Sequence, residues 1–226
     1  MKNVARPEVA HRQTARIEAF SDGVFAIAIT LLALDLRVPH VEHVTAGSLA
    51  HAVLHEWPAY FAFVLSFATI LIMWINHHAR MAWVQRVDGL LIFSNGLVLL
   101  MIAALAFPTA LVGEYLTGPG GTTAVATYAL FVLGTSAAWN VFMVALQPER
   151  GLLRPGVSLA AVSATRRRVR LGLVFYAITA GLALVNAYLG LGLLVAMWCF
   201  WGRTAYRALN TSARIPDPFY DDPGES

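Results

Sequence analysis

The sequence predicts an all-α membrane protein with six transmembrane helices per subunit and a first helix that is central. Of the 226 residues, 58% are hydrophobic and 13% are charged, which is too apolar for an ordinary soluble domain. Six segments also reach the roughly 20 mostly apolar residues that a helix needs to cross a bilayer. Their approximate bounds are 17–37, 54–78, 88–113, 123–147, 167–187 and 189–209.

Runs of this length exclude the short alternating strands of a membrane β-barrel, because a backbone in lipid must satisfy its own hydrogen bonds. We therefore expect one helical membrane domain over residues 16–209. Residues 1–15 are expected to be a cytoplasmic segment, and residues 210–226 a cytoplasmic, disordered tail rich in Pro, Asp and Ser.

The loops predict the orientation, because Lys and Arg near the spans stay on the cytoplasmic side. With the N-terminus inside, fifteen of the sixteen Lys and Arg residues are cytoplasmic, and Arg37 alone is outside. An even number of spans then brings the C-terminus to the same side. The basic loop 150–170 fits this topology and anionic lipid headgroups better than it fits nucleic acid.

The first span begins at Arg16 and reads RIEAFSDGVFAIAITLLALDL. It carries a carboxylate on each side of a short apolar run. The twelve residues between Asp22 and Asp35 cover about 18 Å of helix, which is well short of a hydrocarbon core of about 30 Å. At least one carboxylate therefore lies at hydrocarbon depth, where it faces protein or water rather than lipid. The first helix is consequently predicted to be central in the assembly.

The residues of this helix separate into faces at about 100° per residue. Ile27, Leu31 and Leu34 form one aliphatic stripe with Thr30 at its edge, whereas Asp22 points to the far side. Two readings stay open for the stripe, core packing or the lining of a pathway. Asp22 is either a structural buried acid or part of a site, and Asp35 is more simply an interfacial residue beside Arg37.

Three motifs now carry a resemblance. Arg16 is followed after three residues by Phe-Ser-Asp-Gly at 20–23 and then VFAIAITLL; WINHHAR closes the second span at 74–80; the third span contains Asn95 and ends in FPT at 107–109. This combination is similar to the transmembrane protein 175 family, the potassium channels of endosomes and lysosomes with bacterial relatives. The likeness covers residues 12–113 and is only architectural thereafter.

The resemblance implies a potassium-permeable cation channel in which six-span subunits place their first helices around one ion path. This chain holds one FSDG motif, so the likeness implies the single-repeat bacterial form, a homotetramer in the bacterial plasma membrane. The pore-lining and constriction residues implied by position are Ile27, Thr30, Leu31 and Leu34, with Ile27 the tightest ring. The polar network implied between the first two spans comprises Arg16, Ser21, Asp22, Trp74, Asn76 and His77.

The sequence contains no TVGYG-like loop, so a carbonyl selectivity filter is not expected. A hydrophobic constriction that gates by dewetting would take its place, and we expect no cofactor or resident metal, only potassium as the permeant ion. The alternative function is a proton-coupled secondary transporter, which also uses buried acids and histidines. An enzyme is not expected, because no nucleophile or second carboxylate clusters with His77, His78 and Asp22.

Overall fold

The computed structural model describes the backbone of residues 5–212 and the side chains of residues 12–207. Over these residues the chain is helical, with one isolated bridge between Val84 and Leu153 and no strand. The helices are α1 Ala5–Leu31, α2 Ala46–His55, α3 Trp57–Met81, α4 Gly89–Ala103, α5 Ala106–Tyr115, α6 Gly121–Ala145, α7 Leu159–Val185 and α8 Ala187–Ser212. Tight helical turns follow α1, at Leu32–Asp35, and precede α7, at Pro148–Arg150.

Five segments are long and apolar enough to cross a membrane. They are Arg12–Asp35, Trp57–Met81, Gly89–Tyr115, Gly121–Ala145 and Leu159–Val185. The sixth predicted span corresponds to α8, whose described part does not reach the same hydropathy because its second half carries Arg203 and Arg207. The prediction of an all-helical membrane protein is confirmed, whereas the count of six spans stays a prediction.

The third predicted span matches the candidate span Gly89–Tyr115 and consists of two helices, α4 and α5. Helix α4 ends at Ala103 and α5 begins at Ala106. Pro108 has no N–H to donate to the carbonyl of Ala104, and its ring crowds that carbonyl, so the helix is interrupted just before the proline. The hydroxyl of Thr109 donates to Leu105 O at 2.7 Å and so supplies a hydrogen bond at the interruption.

Helix α6 is the packing centre of the chain. It contacts α4, α5, α7 and α8, and it carries the largest set of buried residues, among them Tyr128, Val132 and Phe142. Helix α1 instead packs mainly against α3 and α4. Within one chain α1 therefore lies at the edge of the bundle, and its predicted central place in the assembly stays a prediction.

The connections separate into two ends of the bundle. At one end, the segment after α3 meets the segment before α7: Gln85 N donates to Leu152 O at 2.8 Å, and Arg150 pairs with Asp88, the N-cap of α4. At the other end, the connection after α1 meets the end of α5, where Arg37 and Glu114 approach to 3.8 Å. This division keeps Arg37 apart from the basic loops, as the predicted topology requires.

The connection between α1 and α3 contains a helix that the sequence analysis did not predict. Helix α2 begins with a capping box, in which Ser48 N donates to Thr45 Oγ1 at 3.1 Å and Thr45 N donates to Ser48 Oγ at 2.9 Å. All of its residues remain at least partly exposed. It is a short amphipathic helix laid beside the bundle and not a further span.

Helices α7 and α8 are joined by a one-residue turn at Asn186. The Asn186 side chain caps α8, because its Oδ1 accepts from the backbone N–H of Tyr188 at 2.9 Å and of Leu189 at 3.1 Å. Gly190 allows the reversal: a Cβ at this position would lie 2.6 Å from the Ala183 Cβ. The last turn of α7 and the first turn of α8 can therefore pack closely.

The predicted domain boundaries differ from the helix ends. Helix α1 begins at Ala5, so part of the predicted N-terminal segment 1–15 is helical, and the boundary at residue 16 stays a prediction. At the other terminus α8 runs to Ser212, and the rest of the predicted tail, 213–226, lies outside the described residues.

Candidate functional site: the two faces of the first helix

Helix α1 has one buried face and one exposed face within the chain. Ser21, Phe25, Ala28 and Leu32 are buried against α3 and α4. These residues recur at intervals of three and four, which places them on one side of a helix. The helix is thus fixed on that side and free on the other.

The exposed face is the predicted aliphatic stripe. Ile27 is 60% exposed, Leu31 47% and Leu34 76%. The hydroxyl of Thr30 donates to its own helix, to Ile27 O at 2.9 Å and Ala26 O at 3.1 Å. Because its single hydrogen is used there, the Thr30 oxygen presents only acceptor lone pairs beside the stripe. Because Ile27, Leu31 and Leu34 are exposed, the stripe does not serve as core packing within the chain.

The stripe extends towards the N-terminal end of the helix. A Cβ built at Gly23 would meet nothing within 4 Å. Phe20, one turn earlier, is 65% exposed. Nothing in the described chain covers this face, so its small and apolar residues are available to lipid or to other subunits.

Asp22 points away from the stripe, as the helical wheel predicts, and contacts α3. The indole Nε1 of Trp74 donates to Asp22 Oδ1 at 2.8 Å. A charged acceptor makes this one of the stronger kinds of hydrogen bond. The predicted contact between the FSDG motif and WINHHAR is present in this pair.

A second polar connection joins three helices. Asn95 of α4 donates from Nδ2 to Ser21 Oγ at 3.0 Å, and its Oδ1 lies 2.7 Å from His77 Nε2 on α3. Ser21 in turn donates to Ile17 O at 2.8 Å. Since the Asn95 amide nitrogen is the donor to Ser21, its oxygen must accept, and His77 carries its proton on Nε2. The chain of donors runs from α3 through α4 to α1.

The His77 ring is fully buried among aromatic side chains. Its centroid lies 5.4 Å from that of Phe25, 5.8 Å from Phe142 and 6.1 Å from Trp139. Its Nδ1 has no hydrogen-bond partner. Among the described residues, it is the one buried side-chain nitrogen or oxygen atom that lacks a partner. This surrounding favours the neutral imidazole, because a second proton would place a charge in an aromatic pocket.

His78 takes the opposite environment. It is about half exposed, and its Nδ1 approaches Glu18 Oε1 at 3.1 Å. Its ring also lies 6.0 Å from Trp74. The two adjacent histidines thus differ: His77 is buried and bonds Asn95, whereas His78 is half-exposed beside Glu18.

Two predicted members of the network lie elsewhere. Asn76 points away from α1: its Nδ2 donates to Ile72 O at 2.8 Å, and its Oδ1 accepts from Arg80 at 2.7 Å. The physical reason is helical spacing, because Asn76 is about 100° from His77 and 200° from Trp74. Arg16 is exposed and makes no hydrogen bond or ion pair to any described residue.

A third polar cluster was not predicted. Ser66 Oγ and Thr109 Oγ1 lie 2.6 Å apart, and Ser66 donates to the Tyr128 hydroxyl at 3.1 Å. These residues come from α3, α5 and α6. The FPT motif therefore interrupts its span and, through Thr109, also links α5 to α3 and α6. Asn95, Glu18 and Ser66 were also left out of the predicted network, although Asn95 belongs to the motifs that carry the resemblance.

The structure gives no grouping of metal ligands within the residues that it describes. His51 and His55 on α2 do share a face, with ring centroids 6.3 Å apart, yet no third ligand joins them. Asp35 is half-buried beside a small polar cleft that also holds Arg37, Glu56 and Glu114. Arg37 approaches Glu114 there rather than Asp35.

The fold and this site define a class: a helical membrane protein whose first helix is bonded on one face and leaves an apolar stripe uncovered on the other. The family model described as "Endosomal/lysosomal potassium channel TMEM175" matches residues 16–105. That segment contains α1, α3 and α4 and hence both polar connections. The chain belongs to the TMEM175 family.

Individual relatives match more of the chain. A potassium channel of Streptomyces collinus is 44% identical over 192 residues, covering 83% of this chain and 92% of the relative. The crystal structure of a lysosomal potassium-selective channel TMEM175 homolog from Chamaesiphon minutus superimposes with a TM-score of 0.78 at 36% identity, covering 86% of this chain and 98% of that one. An endosomal/lysosomal proton channel TMEM175 of Gallus gallus is 39% identical over 106 residues, which cover 44% of this chain and 21% of that protein.

Proposed function

We propose that the chain is the subunit of a potassium-permeable cation channel that conducts passively through a pore lined by α1. The observation that carries this proposal is the uncovered stripe of Ile27, Leu31 and Leu34 on a helix whose opposite face is held by hydrogen bonds. The Streptomyces and Chamaesiphon relatives, both described as potassium channels, support the permeant ion.

In the proposed pore, Ile27 forms the tightest ring and Leu31 and Leu34 continue it. A narrow ring of aliphatic side chains excludes water, so an ion passes only by losing part of its hydration shell. Potassium loses that shell more easily than sodium does, which favours potassium. The Thr30 oxygen, with its lone pairs unused, would replace some of the lost water.

The polar contacts on the buried face give the stripe a fixed position. Asp22 with Trp74 and Ser21 with Asn95 are bonded one to two turns from Ile27. Because they join α1 to two different helices, they restrict both its rotation and its sliding. Their proposed role is therefore to position the constriction and not to touch the ion.

The proposed assembly is a homotetramer of six-span subunits, with 16–209 as the channel domain. A ring of four copies would cover the exposed α1 faces, which include the open position at Gly23. Both termini would be cytoplasmic and the location a bacterial plasma membrane, as the distribution of Lys and Arg favours. Anionic headgroups would line the cytoplasmic side.

The deciding experiment is potassium flux into liposomes that contain the purified protein. A potassium gradient is set with a proton carrier present, and the flux is compared with that from a sodium gradient of equal size. Fast, weakly saturating potassium flux is expected. Slow flux with a fixed proton stoichiometry would instead support the proton-coupled transporter.

The constriction is tested by Ile27→Asn. An amide at the tightest ring allows water to remain, so we expect a several-fold higher leak and a loss of the preference for potassium over sodium. The matched control is Ile178→Asn on α7, a residue of similar exposure, 50%, on a helix that packs mainly against α6 and α8. Equal flux and selectivity in wild type and Ile27→Asn would remove Ile27 from the constriction.

Two observations keep a proton pathway as the second candidate. The Gallus relative is named a proton channel, and it matches the part of the chain that contains α1. The chain also buries His77, with an unpaired Nδ1, beside the α1 contact. Liposome acidification measured without the proton carrier separates this candidate from potassium conduction.

A further inference from the structure

A cavity lies between α3, α6, α7 and α8, on the side of α3 away from α1. Its volume is about 80 Å³, and it continues into an open cleft. Its walls are largely aromatic and aliphatic: Tyr128, Val132, Trp139, Tyr176, Trp198 and Trp201. Trp198 is 37% exposed and Trp201 is partly exposed, so the cavity opens towards the surroundings of the bundle.

One charged side chain lines this apolar cavity. Arg80, in the last turn of α3, is 7% exposed. One of its terminal nitrogens donates to Asn76 O at 2.9 Å and Asn76 Oδ1 at 2.7 Å, and its guanidinium lies 5.8 Å from the Trp83 ring centroid. Nε and the other terminal nitrogen bond to no described residue, yet neither is sealed off from solvent. These donors are free to bind a group in the cavity.

The charge on Arg80 is also uncompensated. No carboxylate within the described part of the chain forms an ion pair with it. The nearby charge is Arg168 of α7, which repels it. An isolated guanidinium is costly at the edge of hydrocarbon, and such residues pair with an anion or reach the headgroup region. The site is therefore electrostatically complementary to an anion.

We propose that this cavity binds an anionic phospholipid, with the phosphate on Arg80 and one acyl chain between α6 and α8. The solvent around this bundle is lipid, and the last turn of a membrane helix lies near the level of the phosphates. The aromatic and aliphatic walls match a hydrocarbon chain, and the free N–H groups match phosphate oxygens. The proposal concerns a face of α3 that the proposed pore does not use, and it does not depend on conduction.

The site would also connect the lipid to the pore helix. Asn76 and Arg80 face the cavity, whereas Trp74 and His77 of the same helix bond the residues that hold α1. A lipid seated on Arg80 therefore binds α3 within about two turns of those contacts. The lipid acts on α1 only through α3 and touches no proposed pore residue.

The test is native mass spectrometry of the full chain after exchange into mixed micelles of phosphatidylglycerol and phosphatidylcholine with equal acyl chains. We expect the wild type to retain phosphatidylglycerol preferentially. Arg80→Met should reduce this retention by about tenfold, as expected from the loss of a charged hydrogen bond. Val132→Phe, which fills the cavity and keeps the charge, should reduce retention of both lipids.

Two controls match these variants. Arg167→Met removes an exposed arginine from the basic N-terminal half of α7. Val144→Phe adds the same ring as Val132→Phe, at a residue of α6 that is 42% exposed. Both should retain lipid like the wild type. Should Arg80→Met not fold, as judged by size-exclusion chromatography, Val132→Phe decides the result.

The proposal is overturned by any of three results. The first is equal retention of both lipids, or of neither, by the wild type, the outcome expected where a second subunit closes the mouth. The second is retention of as much phosphatidylglycerol by Arg80→Met or by the cavity-filling variant as by the wild type. The third is binding of inorganic phosphate, added in place of lipid, by the wild type but not by Arg80→Met, which would assign the site to a free anion.

Discussion

Two helix contacts in this molecule are built in different ways. Helix α6 meets α7 through a broad surface of buried Ala, Val, Phe and Tyr side chains, whereas α1 meets α3 and α4 through a narrower surface that contains two polar connections. In lipid there is little hydrophobic drive between helices, so packing and hydrogen bonds decide their position. The broad contact fixes α6 by shape, and the narrow one fixes α1 at particular residues.

The difference follows from what each helix must leave free. Helix α6 is covered on most sides, but α1 keeps Ile27, Leu31 and Leu34 outside. A helix with one whole face uncovered has less area left for packing. Directional bonds then set its rotation, because a bond between named atoms is lost when the helix turns. Substitutions that remove these bonds should therefore affect α1 more than comparable substitutions affect the contact between α6 and α7.

Asn95→Leu should be the most damaging single change at the α1 contact. It removes both bonds of Asn95, leaving the buried His77 Nε2–H without an acceptor and the Ser21 hydroxyl with only its bond to Ile17 O. Each buried group left without its partner costs about 1–3 kcal/mol. We expect a lower thermal unfolding temperature of the detergent-solubilised protein, together with reduced potassium flux.

The control for this change lies in the broad contact. Asn140 of α6 donates to Ser136 O at 2.8 Å and to Val169 O at 3.3 Å, so Asn140→Leu also removes an amide between helices. It should cost less, because the surrounding packing holds α6 and α7 together. An equal loss in the two variants would contradict the proposed difference between the contacts.

Trp74→Phe should have the next largest effect. It keeps an aromatic ring on α3 but removes the N–H that Asp22 accepts, leaving a half-buried carboxylate without that donor. We expect a loss of about 1–2 kcal/mol, below the usual value for a buried charged bond because Asp22 is partly exposed. Differential scanning fluorimetry and flux are measured together.

Trp57→Phe provides the comparison on the same helix. Trp57 is 45% exposed and donates no hydrogen bond to a described residue, so this variant should match the wild type. A Trp74→Phe protein of wild-type stability and selectivity would show that the Asp22 bond does not position α1.

Thr109→Val tests the link between the two regions. The hydroxyl of Thr109 bonds Leu105 O beside the proline break and contacts Ser66, which in turn donates to Tyr128 of α6. Removing it should cost about 1 kcal/mol. Thr127→Val, which removes an exposed hydroxyl bonded within α6, should be close to neutral. A neutral Thr109→Val would mean that the break is stabilised by packing alone.

The sequence predicted much of this arrangement from local spacing. Helical periodicity separated Asp22 from the stripe, and the structure places them on different faces. The same periodicity could have excluded Asn76, since it lies on a different face from Trp74 and His77. What periodicity lacks is the partner helix: it shows which residues share a face but not which helix covers that face.

Other features depended on contacts far apart in the chain. The position of α1 at the edge of the chain requires knowing that α6 occupies the centre. The orphan charge of Arg80 depends on four helices that meet around a cavity. The break before Pro108 had a local signal, because a proline inside an apolar span interrupts the preceding hydrogen bonds.

The smallest expected effect is at Asp88, which joins the two regions outside the membrane. Its carboxylate caps α4 through Leu91 N at 2.8 Å and pairs with Arg150 before α7. The Arg150 hydrogen bond, then the Leu91 N–H, hold the pKa of Asp88 below its ordinary value of 3.8. A lowered pKa adds stability above pH 3.8, and this stability is lost as the pH falls through the folded pKa.

Asp88→Asn keeps a good capping residue and removes only the ion pair. Because the two side chains are 37% and 31% exposed, solvent weakens the pair and we expect a loss below about 1 kcal/mol, reduced further by salt. Thermal unfolding of wild type and variant should differ at neutral pH and converge as the pH falls below 3.8. Glu149→Gln, an exposed neighbour without a described partner, should show no such convergence. A difference that persists in acid would show that the charge of the Asp88 carboxylate does not account for the stabilisation.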